Sequence, residues 1–339
     1  MDSISVITLL ALISTQILCY FFVIRNKQKF KFFEYEQIQQ THHNFTPRLG
    51  GIIIFISFYL FLSVQLNQHS LNQILLFFCG FLIILISTKE DLYANVSAKI
   101  RFTIILFSSL LSVLFLDKLP SIDIFLISKI FKNDFVLIIF YTLCIALITN
   151  GINIIDGLNG HASFSIASSL ICLIYLNNAN VGFYSFPFIL LIFLLIFFFF
   201  NFPFGYIFLG DAGAHWLGWI TSIFVINFFA INSEISNWLA VIILFYPAME
   251  VLFSFTRKLI LNRSPFEPDL DHIHIKMYHF INSRFANPLS TLMLMPLTIF
   301  PIGYVYCVIN FNISIILIII LQISIYLAYF LILPRVKSN

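Results

Sequence analysis

The stretch FFFFNFPFGYIFLGDAGAHWLGWI, from Phe197 to Ile220, keeps one carboxylate, Asp211, inside an otherwise apolar run. Such a run does not suit a water-facing surface, and the rest of the chain repeats its character. Of 339 residues, 60% are hydrophobic and 10% charged, and the mean hydropathy is +0.99. That exceeds what a soluble core absorbs. The reading is an all-α, polytopic membrane helix bundle, with residues 1–339 as a single integral membrane domain.

A helical span needs about 20 apolar residues. About 11 transmembrane helices are expected, near 4–24, 50–66, 73–88, 102–117, 135–149, 161–177, 183–200, 213–231, 237–256, 289–309 and 312–333. The first is too long, and too poor in a small-residue cleavage site, for a removable signal peptide. Lys and Arg of short loops stay cytoplasmic. With the N-terminus outside and the C-terminus cytoplasmic, all of the 18 basic residues except Lys118, Lys129 and Lys132 fall on the cytoplasmic side. The net charge of +3 is therefore a topological signal, and no nucleic-acid partner is expected. Cys19, Cys79, Cys144, Cys172 and Cys307 lie in apolar spans without paired spacing, which implies neither a disulfide nor a zinc site.

The same topology sorts the unusual polar segments. THHNFTPRLGG (41–51), TKEDLYANVSAKIRF (88–102), NGINIIDGLNG (150–160), FLGDAGAH (208–215) and RSPFEPDLDHIHIKMYH (263–279) all reach one membrane face. Glu90 and Asp91 are adjacent acids followed by Lys99 and Arg101; they read either as a solvated boundary loop or as a site for a phosphate and a divalent cation. Asn150, Asn153 and Asp156 recur every three residues and share a helix face. Capping explains one amide and one glycine there, but not three polar groups in register. Asp211 reads as an N-cap or as a site carboxylate, and its small neighbours Gly210, Ala212, Gly213 and Ala214 favour the second. His272 and His274, two apart, do not share a helix face, which argues against zinc and for phosphate binding or charge orientation. His42, His43 and His69 read as ordinary loop histidines. Glu250, inside the ninth span, reads as a site acid or as a structural partner within the bundle.

In this order and on this face, TPRLGG, the acidic pair before SAKIRF, NGINIIDGLNG, FLGDAG and SPFEPDLDHIH resemble the polyprenyl-phosphate N-acetylhexosamine-1-phosphate transferases. The resemblance covers about residues 46 to 275. It implies transfer of a sugar 1-phosphate from a UDP-N-acetylamino sugar to undecaprenyl (polyprenyl) phosphate, with release of UMP. That step would initiate a cell-envelope glycan such as O-antigen or capsule, at the cytoplasmic face of a bacterial inner membrane. The cofactor implied is Mg²⁺, with Mn²⁺ as the alternative, and a homodimer is left open.

By motif, the resemblance makes Asp211 the Mg²⁺ ligand and Phe208 the aromatic that packs on uracil. Asn153, Asp156 and Asn159 become nucleotide contacts. Arg48, Lys99, Arg101, His272 and His274 become substrate contacts, and Glu90 or Asp91 positions or deprotonates the lipid phosphate. Three positions depart from the family pattern: Glu90 in the acidic pair, Leu270 where an Arg is usual, and Ile275 where a further His often follows. The last two remove polar groups from the loop that would read the sugar, and so lean the expectation toward a 6-deoxy donor. The rival readings are a secondary transporter, which would carry its acids near mid-membrane and show a repeat, and an inactive member of the same family.

Overall fold

The computed structural model describes residues 3–33, 45–64, 70–122, 128–177, 186–267, 269–281 and 283–336. His42, His43 and His69 lie outside them. Among the described residues the regular structure is helical: α1 Ser3–Arg25, α2 Gly50–Val64, α3 Leu71–Tyr93, α4 Ala98–Phe115, α5 Ser128–Phe131, α6 Asp134–Ile155, α7 His161–Leu176 and α8 Phe186–Asn201. Then follow α9 Gly210–Ile231, α10 Leu239–Ile243, α11 Phe245–Ile260, α12 Ile273–Ile281, α13 Ala286–Met293, α14 Met295–Thr298, α15 Pro301–Phe311 and α16 Ile315–Ile332. Six of these (α1, α3, α4, α6, α9, α16) are long and apolar enough to cross a membrane, and α2, α7, α8 and α15 are shorter apolar helices.

Local sequence explains several of the ends. Ser70 and Gln73 form a capping box that starts α3, with the Ser70 side chain accepting from the Gln73 N–H and the Gln73 side chain accepting from the Ser70 N–H. Ser97 caps α4, and the Asn133 side chain accepts the Phe135 N–H at 2.9 Å to start α6.

All eleven predicted segments contain helix, but 237–256 and 289–309 are not continuous. The first breaks at Leu244 between α10 and α11, and the second at Leu294 and again before Pro301. Proline lacks the N–H that would bond four residues back. Pro247 therefore leaves the Ile243 carbonyl without its helical donor. The Ser169 hydroxyl donates to that carbonyl at 3.3 Å, and the Gln322 side chain donates to the neighbouring Ile242 carbonyl at 3.1 Å. Near the second break, the Tyr329 hydroxyl donates to the Met293 carbonyl at 2.7 Å. Non-helical backbone inside a membrane is tolerated where protein supplies such partners.

The bundle is organised around α9, whose apolar window is 78% buried against 17% for α16. It packs on α6, α3, α2 and α7. Glycines set the closest approaches. A Cβ on Gly51 would lie 2.0 Å from the Gly213 Cα, and one on Gly218 would lie 2.9 Å from the Thr149 Cα. The helix α11 inverts the soluble pattern: Glu250, Ser254 and Lys258 are buried, while Leu252, Phe255 and Leu259 are exposed. In a lipid solvent that is the expected sense of amphipathicity.

Candidate active site

The ends of α3, α6, α8 and α11 meet the starts of α2, α4, α7, α9 and α12, and the five polar segments come together there. The segment before α2 lies along the segment before α9: the Phe208 N–H donates to the Pro47 carbonyl at 2.9 Å, and the Gly50 and Gly51 N–H groups donate to the Phe208 and Leu209 carbonyls at 2.8 and 2.9 Å. Gly210 has φ +80, and a Cβ on it would meet the Arg48 carbonyl at 2.7 Å and Asp91 Oδ2 at 2.9 Å. The backbone can therefore close here only at a glycine.

Asp211 is not the cap of α9. The residue before the helix, Leu209, offers no side-chain cap. The cap comes from another helix: Asp91, fully buried at the end of α3, accepts the Asp211 N–H at 3.1 Å and the Ala212 N–H at 2.9 Å. Its Oδ1 also lies 3.9 Å from Arg48. Asp211 itself is left to pair with Arg101, whose guanidinium also lies 3.9 Å from Glu90 Oε1. The other Glu90 oxygen accepts the Val96 N–H at 2.9 Å and closes the turn between α3 and α4. Arg48, Glu90, Asp91, Arg101 and Asp211 thus form one cluster. Lys99 does not join it: its side chain is exposed on α4, two residues from Arg101 and on a different face.

Asp156 ends α6 in a non-helical conformation, its N–H donating to the Asn153 carbonyl at 3.4 Å. Burial, and then the Asp211 carboxylate, push its carboxyl well above the usual aspartate range. Of the three residues in register, Asn150 is spent on its own helix, donating to the Ala146 carbonyl at 2.7 Å, and Asn153 is half-buried. Asn159 is held from three sides: its N–H donates to Asn287, its side-chain amide to the Pro203 carbonyl, and its carbonyl accepts the Thr291 hydroxyl. Its buried Oδ1 has no hydrogen-bond partner among the described residues. That atom and the half-buried Phe208 ring meet at Gly205, where a Cβ would lie 2.8 Å from Asn159 Oδ1 and 3.0 Å from the ring.

The loop before α12 is tied to α11. Arg257 pairs with the Asp269 carboxylate and donates to the Asp271 carbonyl at 3.2 Å, and Ser254 donates to Asp269 at 3.2 Å. Burial acts to raise the Asp269 carboxyl, but the Asp271 N–H, His272 and Arg257 hold it below the usual range. His272 Nδ1 lies 2.8 Å from Glu250 Oε2. His274 lies against Gly157, where a Cβ would come 2.6 Å from its Nε2, and burial pushes its imidazole down to about 3. Sequence reasoning missed His161, which starts α7 directly after NGINIIDGLNG. Its ring stands 6.1 Å from His274, and its Nε2 is 3.0 Å from the Tyr246 hydroxyl.

The donors fit Mg²⁺ in kind. Four carboxylates (Glu90, Asp91, Asp156, Asp211) face two guanidiniums, and burial first, then the Asp211 charge, raises the Asp156 carboxyl. No group of three or more metal-ligating side chains exists among the described residues. Mg²⁺ takes one or two carboxylates and fills its shell with water and substrate phosphate. A cavity of about 370 Å³ lies at the opposite ends of α3 and α9, between Gln73 and Asn232, away from these carboxylates.

Residues 73–229 match the family model described as glycosyl transferase family 4. The family resemblance read from the motifs is borne out. Two relatives sharpen it. One is a probable undecaprenyl-phosphate N-acetylglucosaminyl 1-phosphate transferase of Bacillus subtilis (strain 168), 28% identical over 246 residues, covering 71% of this chain and 68% of the relative. The other is an undecaprenyl-phosphate alpha-N-acetylglucosaminyl 1-phosphate transferase of Thermotoga maritima, 27% identical over 248 residues, covering 73% of each.

Proposed function

We propose that this protein transfers N-acetylglucosamine 1-phosphate from its UDP donor to undecaprenyl phosphate and releases UMP. The observation that carries this reading is the cluster itself: carboxylates and arginines from three chain segments, with Asp156 from a fourth beside them, meet at one end of a membrane-type bundle, where an anionic headgroup on an apolar tail can reach them. The two relatives carry that activity in their names.

In the reaction, an oxygen of the lipid phosphate forms a bond to the β-phosphorus of the donor, and the bond from that phosphorus to the bridging oxygen breaks. UMP leaves with the bridging oxygen. Two anions must be brought together, so charge neutralisation is the main demand. Arg48 and Arg101 supply cationic charge at the cluster. Asp211 and Asp156 would hold Mg²⁺, which when bound neutralises pyrophosphate charge. Asp91, with both oxygens turned to the start of α9, fixes Asp211 in place. Glu90, partly exposed beside Arg101, is the acid left to orient or accept a proton from the lipid phosphate. Phe208 and the buried Asn159 side-chain oxygen offer a stacking face and an acceptor for a base.

We assign the site to the cytoplasmic face of a bacterial inner membrane, on the distribution of lysine and arginine, and the product to the start of a cell-envelope glycan. The test is incubation of the purified protein with labelled UDP-GlcNAc, polyprenyl phosphate and Mg²⁺. Formation of UMP and a lipid-linked pyrophosphoryl sugar supports the reading. Absence of both, with donor and lipid bound, would leave an inactive family member.

A further inference from the structure

The histidines of the last loop are not isolated. His272 and His274 stack at 5.7 Å with an interplanar angle of 21°, and His161 follows at 6.1 Å from His274. All three rings are buried, at 5, 2 and 0% exposure. One helix holds both ends of the row. Tyr246 and Glu250 are four residues apart on α11 and so lie on one face. Tyr246 meets His161 at 3.0 Å; Glu250 meets His272 Nδ1 at 2.8 Å and accepts the Ile273 N–H at 3.3 Å.

We propose that Glu250 is a positioning residue for the transfer reaction: it fixes the ring of His272 and the start of α12, and through the stacked pair sets His274 against Gly157, next to Asp156. The inference rests on the function proposed above. A carboxylate that accepts from Nδ1 leaves that nitrogen protonated and makes Nε2 the nitrogen free to face a ligand. The same carboxylate takes up an orphan N–H at the start of α12, so ring and helix are held by one group. Glu250 is 1% exposed, so it is placed to act through the ring it holds. A buried acid in a membrane bundle is costly unless paired, and here both of its carboxylate oxygens have a partner in the histidine segment. The sequence departure at Ile275 gains meaning beside this. The motif's further histidine is absent, yet His161 brings a third imidazole to the row from another element.

The experiment is a double-mutant cycle on kcat/KM for sugar-phosphate transfer with Glu250→Gln and His272→Asn, joined to ¹⁵N imidazole spectra of the full-length protein in detergent. A residue that acts through another loses its effect when that other is removed. Glu250→Gln is expected to lower kcat/KM about 10-fold or more with His272 present, and to change it less than about 2-fold in the His272→Asn background. The wild-type spectrum is expected to show His272 protonated at Nδ1, and Glu250→Gln to disturb it. Equal losses in both backgrounds, or a neutral Glu250→Gln, would overturn the proposal. So would a wild-type His272 without an Nδ1 proton, a readout that needs no turnover. A wild type that transfers no sugar phosphate counts instead against the proposed function.

Discussion

Asp91 holds Asp211. From the end of α3 it accepts the Asp211 N–H at 3.1 Å and the Ala212 N–H at 2.9 Å, so a buried carboxylate of one helix starts the central helix of the bundle. The two acids thus have separable roles. Asp91→Ala would leave two N–H groups at the start of α9 without their acceptor, a loss of about 1–3 kcal/mol for each buried donor left unsatisfied. Asp211→Asn removes a charge that caps nothing in its own helix. Thermal unfolding in detergent should therefore show a clear drop for Asp91→Ala and little change for Asp211→Asn, while both lose transfer by about 100-fold or more. A stable, active Asp91→Ala protein would disprove the anchoring role.

Glycine contacts divide in the same way. At Gly51 a methyl group meets backbone, 2.0 Å from the Gly213 Cα, and neither helix can yield without parting. At Gly157 it meets the ring of His274, a side chain that can turn away. Gly51→Ala is expected to reduce the yield of folded protein. Gly157→Ala should fold but lose activity about as severely as His274→Ala. Size-exclusion profiles and kcat/KM of the two variants decide this, and an active Gly157→Ala would place His274 outside the chemistry.

These examples show what the sequence could and could not reveal. Apolar run length located the long and the shorter apolar helices, because burial in lipid leaves a strong one-dimensional signal, but not α5 or α12, which lie outside the expected spans. The breaks at Leu244 and Leu294 were not read, although Pro247 and Pro296 stand beside them, and their tolerance depends on Ser169, Gln322 and Tyr329, which are distant in the chain. Asp211 was found from its small neighbours. Its capping by Asp91 was not, since a cap from 120 residues away leaves no local mark. His161 was passed over because an isolated histidine at a helix start has no pattern until His274 is brought beside it.

The raised carboxyl of Asp156 sets a pH dependence with a definite sign. Its folded pKa lies above the unfolded value, owing to burial and then to Asp211. The folded state therefore binds the proton more tightly, and stability is full below the unfolded pKa and lost as pH rises toward the raised folded value. Ligand-free protein should melt higher at mildly acidic than at neutral pH. Asp156→Asn should flatten that slope, raise the neutral-pH midpoint and weaken donor binding. Persistence of the slope in Asp156→Asn would assign it to another group.

The orientation can be checked without chemistry. Glu234 is exposed in the turn between α9 and α10, at the end opposite Asp211, and Glu267 is exposed in the loop before α12. Cysteines placed at these two positions should react differently with a membrane-impermeant maleimide in intact cells. Glu234→Cys is expected to label directly, and Glu267→Cys only after permeabilisation. The reverse pattern would put the carboxylate cluster on the face away from cytoplasmic UDP-sugar.

The donor sugar is where structure and sequence pull apart. Loss of an arginine at Leu270 and of a histidine at Ile275 would leave an apolar pocket edge suited to a 6-deoxy sugar, provided both side chains face the donor. Ile275 does not line an open edge, being 2% exposed within α12. Leu270 stands between Asp269 and Asp271, both already tied to Arg257, so the loop keeps a guanidinium and a carboxylate despite the substitution. Polar groups left unpaired are what reject a substrate that lacks a hydroxyl, and an apolar pocket tells the two sugars apart only weakly. The polar loop therefore agrees with the donor proposed above, UDP-GlcNAc. Wild-type kcat/KM is expected to exceed that for the 6-deoxy analogue by about 10-fold or more. Leu270→Arg should leave the ratio within about 3-fold, because Arg257 already supplies the loop's guanidinium. A wild-type preference for the 6-deoxy donor, reversed by Leu270→Arg, would show that position 270 reads the sugar after all.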